Sequence, residues 1–473
     1  VILSLRQTTQ TFPQRWVPLF ILGAFVLTSC CTFKEYRPFP DGCYQDGSNP
    51  KHRGVQLSFI EYDDQGFPWD LNQRLSAIAH ISATKNLLLV VFIHGWHNDA
   101  SNYPHKDVET FTTLLNKIGQ AAPVRNKYNL YGVFLAWRGE RIRGPNETFN
   151  QILTPVRSLT FYSCKATAST IADRGFLRDD IYKLTDAARS RTSDSAKPVT
   201  IVIGHSFGGL ILEEAIANDM AHPRLGGPKR MADLVLMLNP ASDSMITAIT
   251  ERAFQESPPP ATQPPLPDGE PRPTMISITS QTDNATGLAF NVGTSISNLF
   301  RRTRPVPVGN SLVDEKYLLT HTPGHNDFLM THEVQPLGSI ASPGGNPFEH
   351  NLSTREETRF ATEGTSGKWN VWDIRPVKQA ARSPYWIVQV PKEIIAGHGD
   401  IFNPNALDML ASFFRLNNPI PGMARPPNER PPVLWQGTQP TTKPKVLPGL
   451  MRQKNPPSAP QVVPAEQFQS GRY

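Results

Sequence analysis

The sequence predicts an α/β protein built on a mostly parallel central sheet with helices on both faces. Continuous apolar runs of strand length recur along the chain, LLLVVFI from Leu87 and VTIVIG from Val199 among them. A run without polar alternation reads as a strand buried on both faces. Between these runs lie segments whose apolar residues recur at helical spacing, and strands alternating with helices call for helices packed over a parallel sheet. At 473 residues and 39% hydrophobic, the chain is long enough to bury a full core.

The elements follow in order from near Gly54. LLLVVFIHG is a strand ending in His-Gly. KDVETFTTLLNKIG follows, with Val108, Phe111, Leu114, Leu115 and Ile118 on one helical face. YGVFLAW, residues 131–137, is the next strand, and residues 146–190 read mostly as helix. VTIVIG is a strand that runs into Ser206, and a helix begins directly after it. DLVLMLNPA from Asp233, MISITS at 275–280 and WIVQV at 386–390 complete the strands, and NPNALDMLASFF reads as a closing helix. There is no internal repeat.

Two stretches break this alternation. Residues 256–274, ESPPPATQPPLPDGEPRPT, are too rich in proline for helix or inner strand, because proline lacks the donor and fixes φ. Residues 302–384, rich in Gly, Pro, Asn and Thr, read as a long insertion before the last strand, a type of segment from which lids are built. Thirteen prolines between Pro419 and Pro464 predict an extended tail. The expected organisation is a signal peptide at 1–29, a linker at 30–53, a catalytic domain at 54–416 and a basic, Pro-rich tail at 417–473.

The formal charge of +6 is concentrated at the ends. The tail carries seven basic residues against Glu429 and Glu466, and Arg6 and Arg15 are the only charges in the first 29 residues, so the body is close to neutral. A nucleic-acid footprint would need a basic folded face, and none is expected here. Arg6 and Arg15 precede WVPLFILGAFVL, residues 16–27, too short to span a bilayer and suited to the core of a signal peptide. LTSC, ending at Cys30, resembles the lipobox of bacterial lipoproteins. That resemblance implies export, lipid attachment at Cys30 and a membrane-anchored protein at the outer membrane or cell surface. Cys31, Cys43 and Cys164 would then remain, an odd number for disulfide pairing, with Cys43–Cys164 as one pairing to test.

The stretch that carries chemistry is Gly204-His205-Ser206-Phe207-Gly208, a G-x-S-x-G box between a strand and a helix. That context fits a nucleophile elbow, in which a tight turn exposes the serine Oγ above the strand ends and the helix N-terminus offers free N–H groups. The alternative is a serine that merely caps a helix behind a glycine turn. The second oxyanion donor of such a site comes from the loop after an earlier strand, and VVFIHGWHNDA supplies it: the Trp96 N–H would pair with that of Phe207. His205, next to the nucleophile, is expected to be structural and to point away from the base.

VFIHGWHNDA, GVFLAWRGE, IGHSFGG, SQTDNATG and IIAGHGDIF together resemble a serine hydrolase of the α/β-hydrolase superfamily, and more narrowly bacterial esterase/lipase-like proteins with an HGW-type oxyanion loop. The resemblance implies the α/β-hydrolase fold and an acid and a base that follow the serine in chain order. Asp283, three residues past MISITS, is the favoured acid, with Asp243 one strand earlier as its rival. Asp283 would otherwise be a plain N-terminal cap. His398, between two glycines after the last strand, is the favoured base. Its rival is His325, which with His321 and His332 would form a histidine cluster of no standard zinc spacing. Arg138, at the end of a sheet strand, is either an anion ligand or an ion-pair partner.

The expected activity is hydrolysis of a small-molecule or lipid carboxylic ester through an acyl-enzyme, with no metal or cofactor. Thioester or amide hydrolysis, or acyl transfer, would use the same residues. A surface-anchored binding module without turnover is the reading from another class, separated from the rest by its failure to react with a fluorophosphonate.

Overall fold

The structure, a computed structural model, describes residues 36–37, 43–45, 56–101, 106–140, 160–190, 194–221, 230–256, 265–266, 269–289, 302–309, 311–341, 358–364, 368–377 and 383–417. All of these fall within the first of the chain's two units, Val1–Glu429. The expected signal peptide, Cys30 and the tail from residue 418 onward lie outside the described residues.

The described strands are β1 (Cys43–Gln45), β2 (Gln56–Glu61), β3 (Leu87–Ile93), β4 (Asn129–Ala136), β5 (Val199–His205), β6 (Leu234–Leu238), β7 (Met275–Ser280), β8 (Pro305–Val308), β9 (Ser311–Asp314), β10 (His332–Ala341), β11 (Arg359–Glu363), β12 (Lys368–Pro376) and β13 (Tyr385–Val390). Eleven of them form one sheet in the order β1-β2-β4-β3-β5-β6-β7-β13-β10-β12-β11, and β8 and β9 form a separate hairpin. From β2 through β10 every neighbouring pair in that order is parallel. The pairs β1–β2, β10–β12 and β12–β11 are antiparallel.

The apolar runs are continuous because both faces of the sheet are covered. In β3, Leu88, Val90 and Phe92 pack into one core with Phe111, Leu114 and Ile118 of the helix Lys106–Gln120 and Leu410 and Phe413 of the helix Pro404–Asn417. Leu87, Leu89, Val91 and Ile93 face the other way. They pack with Ala77 and Ile81 of the helix Leu71–Ala83, Ala168 and Ile171 of Phe161–Arg174, Ile181 and Leu184 of Phe176–Arg189, and Leu210 and Ile211 of Phe207–Ala221. Alternate residues thus serve two cores, and no position is left for a polar side chain.

Residues 302–384 differ from the expectation of a loop-rich insertion. Within them β10, β11 and β12 extend the main sheet beyond β13, so the last of the described strands is an interior strand. Val334, between Glu333 and Gln335, and Trp372 and Ile374, on either side of Asp373, join the core with Phe360 beneath the helix Pro404–Asn417. A register shift between Pro336 and Gly338 accommodates the proline in β10. Composition hid this two-residue period, because Gly, Pro and Thr dilute it.

One half-buried carboxyl gives the fold a measurable pH dependence. Glu214, on the helix Phe207–Ala221, is raised from 4.5 to about 7 by burial, with the charges of Asp243 and Asp173 adding to the effect against the Ser169 hydrogen bond and Lys165. The folded chain therefore keeps a proton that the unfolded chain loses near 4.5, so stability falls as pH rises from about 4.5 to about 7. Glu214→Gln can still accept from Ser169 and removes the titration. Urea unfolding at pH 5 and pH 8 is expected to show the variant gaining up to ~3 kcal/mol on the wild type between the two, and an unchanged difference would refute the assignment.

Candidate active site

Parallel strands place their carboxyl ends on one edge of the sheet, where α/β proteins bind ligands. β5, β6, β7 and β13 are consecutive neighbours in the sheet. Ser206 follows β5, Asp283 lies just past β7, and His398 hangs on the loop after β13. Three side chains far apart in sequence therefore share that edge.

Ser206 has φ +55°, a conformation that favours glycine and is costly for a side-chain-bearing residue. Its backbone is held there from both sides. Its N–H donates to Leu238 O at 3.0 Å, and its carbonyl accepts from Ala241 N at 3.0 Å and Leu210 N at 3.1 Å. The flanking glycines are required by space. A Cβ on Gly204 would lie 2.6 Å from Gly208 O, and one on Gly208 would fall on the Ile93 carbonyl. The strand–turn–helix read from G-H-S-F-G is thus present, with the serine at its apex.

His398 Nε2 is 2.7 Å from Ser206 Oγ, and His398 Nδ1 is 2.8 Å from Asp283 Oδ2. An ionised carboxylate only accepts, so Nδ1 carries the proton toward Asp283 and the neutral ring leaves Nε2 bare to accept from the serine hydroxyl. Burial opposes ionisation of Asp283, but the hydrogen bond and charge of His398, together with bonds from Thr286, outweigh it and hold the carboxyl below its ordinary range. Asp283 is also a cap: Oδ1 accepts from Ala285 N at 3.0 Å and Thr286 N at 3.2 Å at the start of the turn Ala285–Ala289. The two roles weighed for this residue belong to the two oxygens of one carboxylate.

The loop expected to supply the second oxyanion donor lies against Ser206. A Cβ on Gly95 would be 2.7 Å from Ser206 Cβ. His94 is fully buried, and burial lowers its pKa. Its Nε2 accepts from Trp137 N at 3.0 Å, so Nδ1 is the protonated atom and donates to Gly95 O at 2.8 Å. In a trans peptide the carbonyl and the following N–H point in opposite directions. Fixing Gly95 O therefore fixes the direction of the Trp96 N–H. Among the described residues neither that N–H nor the Phe207 N–H, at the start of its helix, has an acceptor within the protein. The Trp96 ring meets Phe161 edge-on at 5.3 Å, and Phe161 meets Phe207 at 5.0 Å, forming an aromatic wall.

The rivals stand outside this hydrogen-bonded run, although His325 lies within reach of the Asp283 charge and beside Gly287. Asp243 Oδ1 accepts from Ile246 N at 3.3 Å, near the start of the helix Ser244–Glu256. His325 bonds Thr322 Oγ1 at 3.0 Å, His321 stacks on Tyr317, and His332 stacks on Trp386. No group of three side chains suited to a metal occurs among the described residues. Arg138 is paired with Asp64 at 2.8 Å, the ion-pair alternative. Cys164 is a buried thiol, not part of a disulfide, with Sγ 3.7 Å from Gly139 O. His205 departs from expectation: rather than pointing away from the base, its Nε2 donates to His398 O at 3.1 Å. Sequence reading also passed over Asn239 and Asp107. Asn239 holds φ +44° after β6, a position asparagine tolerates, and its Nδ2 donates to the same carbonyl at 3.0 Å.

No protein-family model matches the sequence, and no curated protein matches it. Among solved structures, phospholipase PlaB from Legionella pneumophila in complex with thio-NAD is 14% identical, with a TM-score of 0.22, over 71% of this chain and 62% of that one. This chain thus spans less than two thirds of that relative's length. A second PlaB structure from the same organism is 9% identical at a TM-score of 0.20, over 65% and 93% of the two chains. An uncharacterized protein from Pseudomonas aeruginosa is 10% identical at 0.25, over 78% and 54%. Similarities of this size establish neither fold nor activity, so the chemistry rests on the site's own geometry.

Proposed function

We propose that the chain is a serine hydrolase of the α/β-hydrolase type that cleaves carboxylic esters through an acyl-enzyme. The observation that carries this reading is the unbroken hydrogen-bonded run from Ser206 Oγ through His398 to Asp283, 2.7 Å and 2.8 Å long in its two links. His398 Nε2 takes the hydroxyl proton as Oγ attacks the ester carbonyl carbon. The N–H groups of Trp96 and Phe207 receive the developing oxyanion. The tetrahedral intermediate collapses, His398 returns the proton to the leaving alcohol, and the acyl group remains on Ser206. A water then gives its proton to His398, attacks the acyl carbon and releases the acid and free Ser206. Asp283 keeps the imidazole in the tautomer this requires and stabilises it when charged.

The half-buried rings of Trp96 and Phe161, in edge-on contact, support an apolar acyl or alcohol group, in keeping with a lipid ester. Export and lipid attachment at Cys30 belong to the same proposal and rest on the order of Arg6, Arg15, the apolar run and LTSC in the sequence. The test is reaction of residues 31–473 with a fluorophosphonate, mapping of the adduct, and a panel of acyl esters of increasing chain length. An adduct on Ser206 and turnover of at least one ester are expected. Absence of labelling at Ser206 would remove the hydrolase reading and leave the binding module.

A further inference from the structure

His398 stands between two glycines whose flanks are open: a Cβ placed on Gly397 or on Gly399 would meet nothing within 4 Å, while Ile394, Ile395 and Ile401 anchor the ends of the loop in the core. At His398 itself the restraint comes from hydrogen bonding at its ring and at its backbone carbonyl. That carbonyl accepts from His205 Nε2 at 3.1 Å and from Asn239 Nδ2 at 3.0 Å. Behind His205 lies Asp107, in the first turn of the helix Lys106–Gln120. Asp107 Oδ2 is 3.3 Å from His205 Nδ1 and 3.4 Å from the Gly95 N–H of the oxyanion loop. Both residues are buried, at 6% and 4% exposure.

Both ring nitrogens of His205 face groups that only accept, a carbonyl on one side and a carboxylate on the other. The ring therefore carries both protons. The electrostatics agree: burial disfavours the charge, but the Asp107 hydrogen bond and charge outweigh it, followed by the His398 carbonyl, and raise the pKa. Asp107 is the matching anion, lowered by His205 against burial, with the neighbouring His94 and Gly95 contributing in the same direction. Asp283 and the His398 ring, 5.2 Å from the His205 ring, face the pair from the other side.

We propose that Asp107 and His205 are positioning residues: a second aspartate–histidine pair that ties the base loop, through the His398 carbonyl, and the oxyanion loop, through the Gly95 N–H, to the nucleophile strand. The pair touches no reacting atom. It sets the reach from His398 Nε2 to Ser206 and holds the loop that supplies the Trp96 N–H to the same frame. The inference rests on the hydrolase reading for its catalytic readout.

Two substitutions separate the tether from the charge. In His205→Asn the amide nitrogen reaches the Nδ1 position, keeping the bond to Asp107 and losing the one to His398. In His205→Gln the amide nitrogen reaches the Nε2 position and can still donate to the His398 carbonyl. Both remove the imidazolium, so an effect of charge alone is common to both. The expected result is that His205→Asn lowers kcat by about 10- to 100-fold with KM unchanged, while His205→Gln stays within about threefold of wild type. Fluorophosphonate labelling follows the same order. Equal kcat in the two variants overturns the proposal. Should His205→Asn not fold, Asp107→Ala, which removes the acceptor shared by His205 Nδ1 and the Gly95 N–H, is expected to lose about tenfold in kcat at constant KM, and wild-type kcat there overturns it. If the wild type itself does not label, the hydrolase reading fails instead. The low-field NMR signal of the His398 Nδ1 proton then decides the positioning role: it persists in His205→Gln and is lost in His205→Asn if the pair holds the base, and persists in both if it does not.

Discussion

Ser206→Ala is expected to leave a folded protein whose ester turnover is at most about one-thousandth of wild type. The change removes one oxygen. The positive φ is set by the bonds from Leu238, Ala241 and Leu210, none of which involves the side chain. Alanine keeps the Cβ that rests against Gly95. The lost hydrogen bond to His398 costs about 1 kcal/mol, so the melting temperature moves little. Chemistry suffers fully, because the atom that would carry the acyl group is gone while the oxyanion donors stay. Turnover of a short acyl ester, circular dichroism and fluorophosphonate labelling measure the three parts. Residual turnover above the one-thousandth level places the nucleophile elsewhere.

Asp283→Asn is expected to lower kcat by about 10⁴ with the fold retained. The reason lies in the cap. Oδ1 receives the N–H groups of Ala285 and Thr286, so an amide at this position keeps its oxygen there. The NH₂ then occupies the place of Oδ2, facing His398 Nδ1 and Thr286 Oγ1. A donor facing Nδ1 forces that nitrogen to accept, and the ring proton moves to Nε2, opposite Ser206. The base then has no lone pair to offer the hydroxyl. Labelling by a fluorophosphonate slows in parallel, since it needs the same proton transfer. Asp243→Asn, at the helix start near Ile246, is expected to leave kcat within about threefold of wild type. Equal losses in the two variants would remove Asp283 from the role of orienting acid.

Much of the framework was legible before any coordinates. β3 and β6 lie where continuous apolar runs placed them, because a strand covered on both faces needs no polar position to break the run. The helix Lys106–Gln120 carries its apolar period in plain view. The elbow was legible because a serine at φ +55° needs neighbours without side chains at Gly204 and Gly208. Asp283 and His398 stood ahead of Asp243 and His325 through chain order, and their strands β7 and β13 end on the same edge of the sheet as β5, two and three strands away.

Local pattern determined these features because propensity, periodicity and turn chemistry act over a few neighbouring residues. Other features are decided by packing alone. The strands β10, β11 and β12 are polar enough on one face to read as loop, and they become sheet because β13 offers a parallel edge and the helix Pro404–Asn417 covers their apolar side. His205 was expected to turn from the base and instead bonds to its carbonyl, a contact across 193 residues. Asp107 reaches His205 across 98. Nothing in either neighbourhood encodes such a contact, since a buried charge acquires its partner only when the tertiary fold brings one within hydrogen-bond reach and excludes the water that would otherwise solvate it.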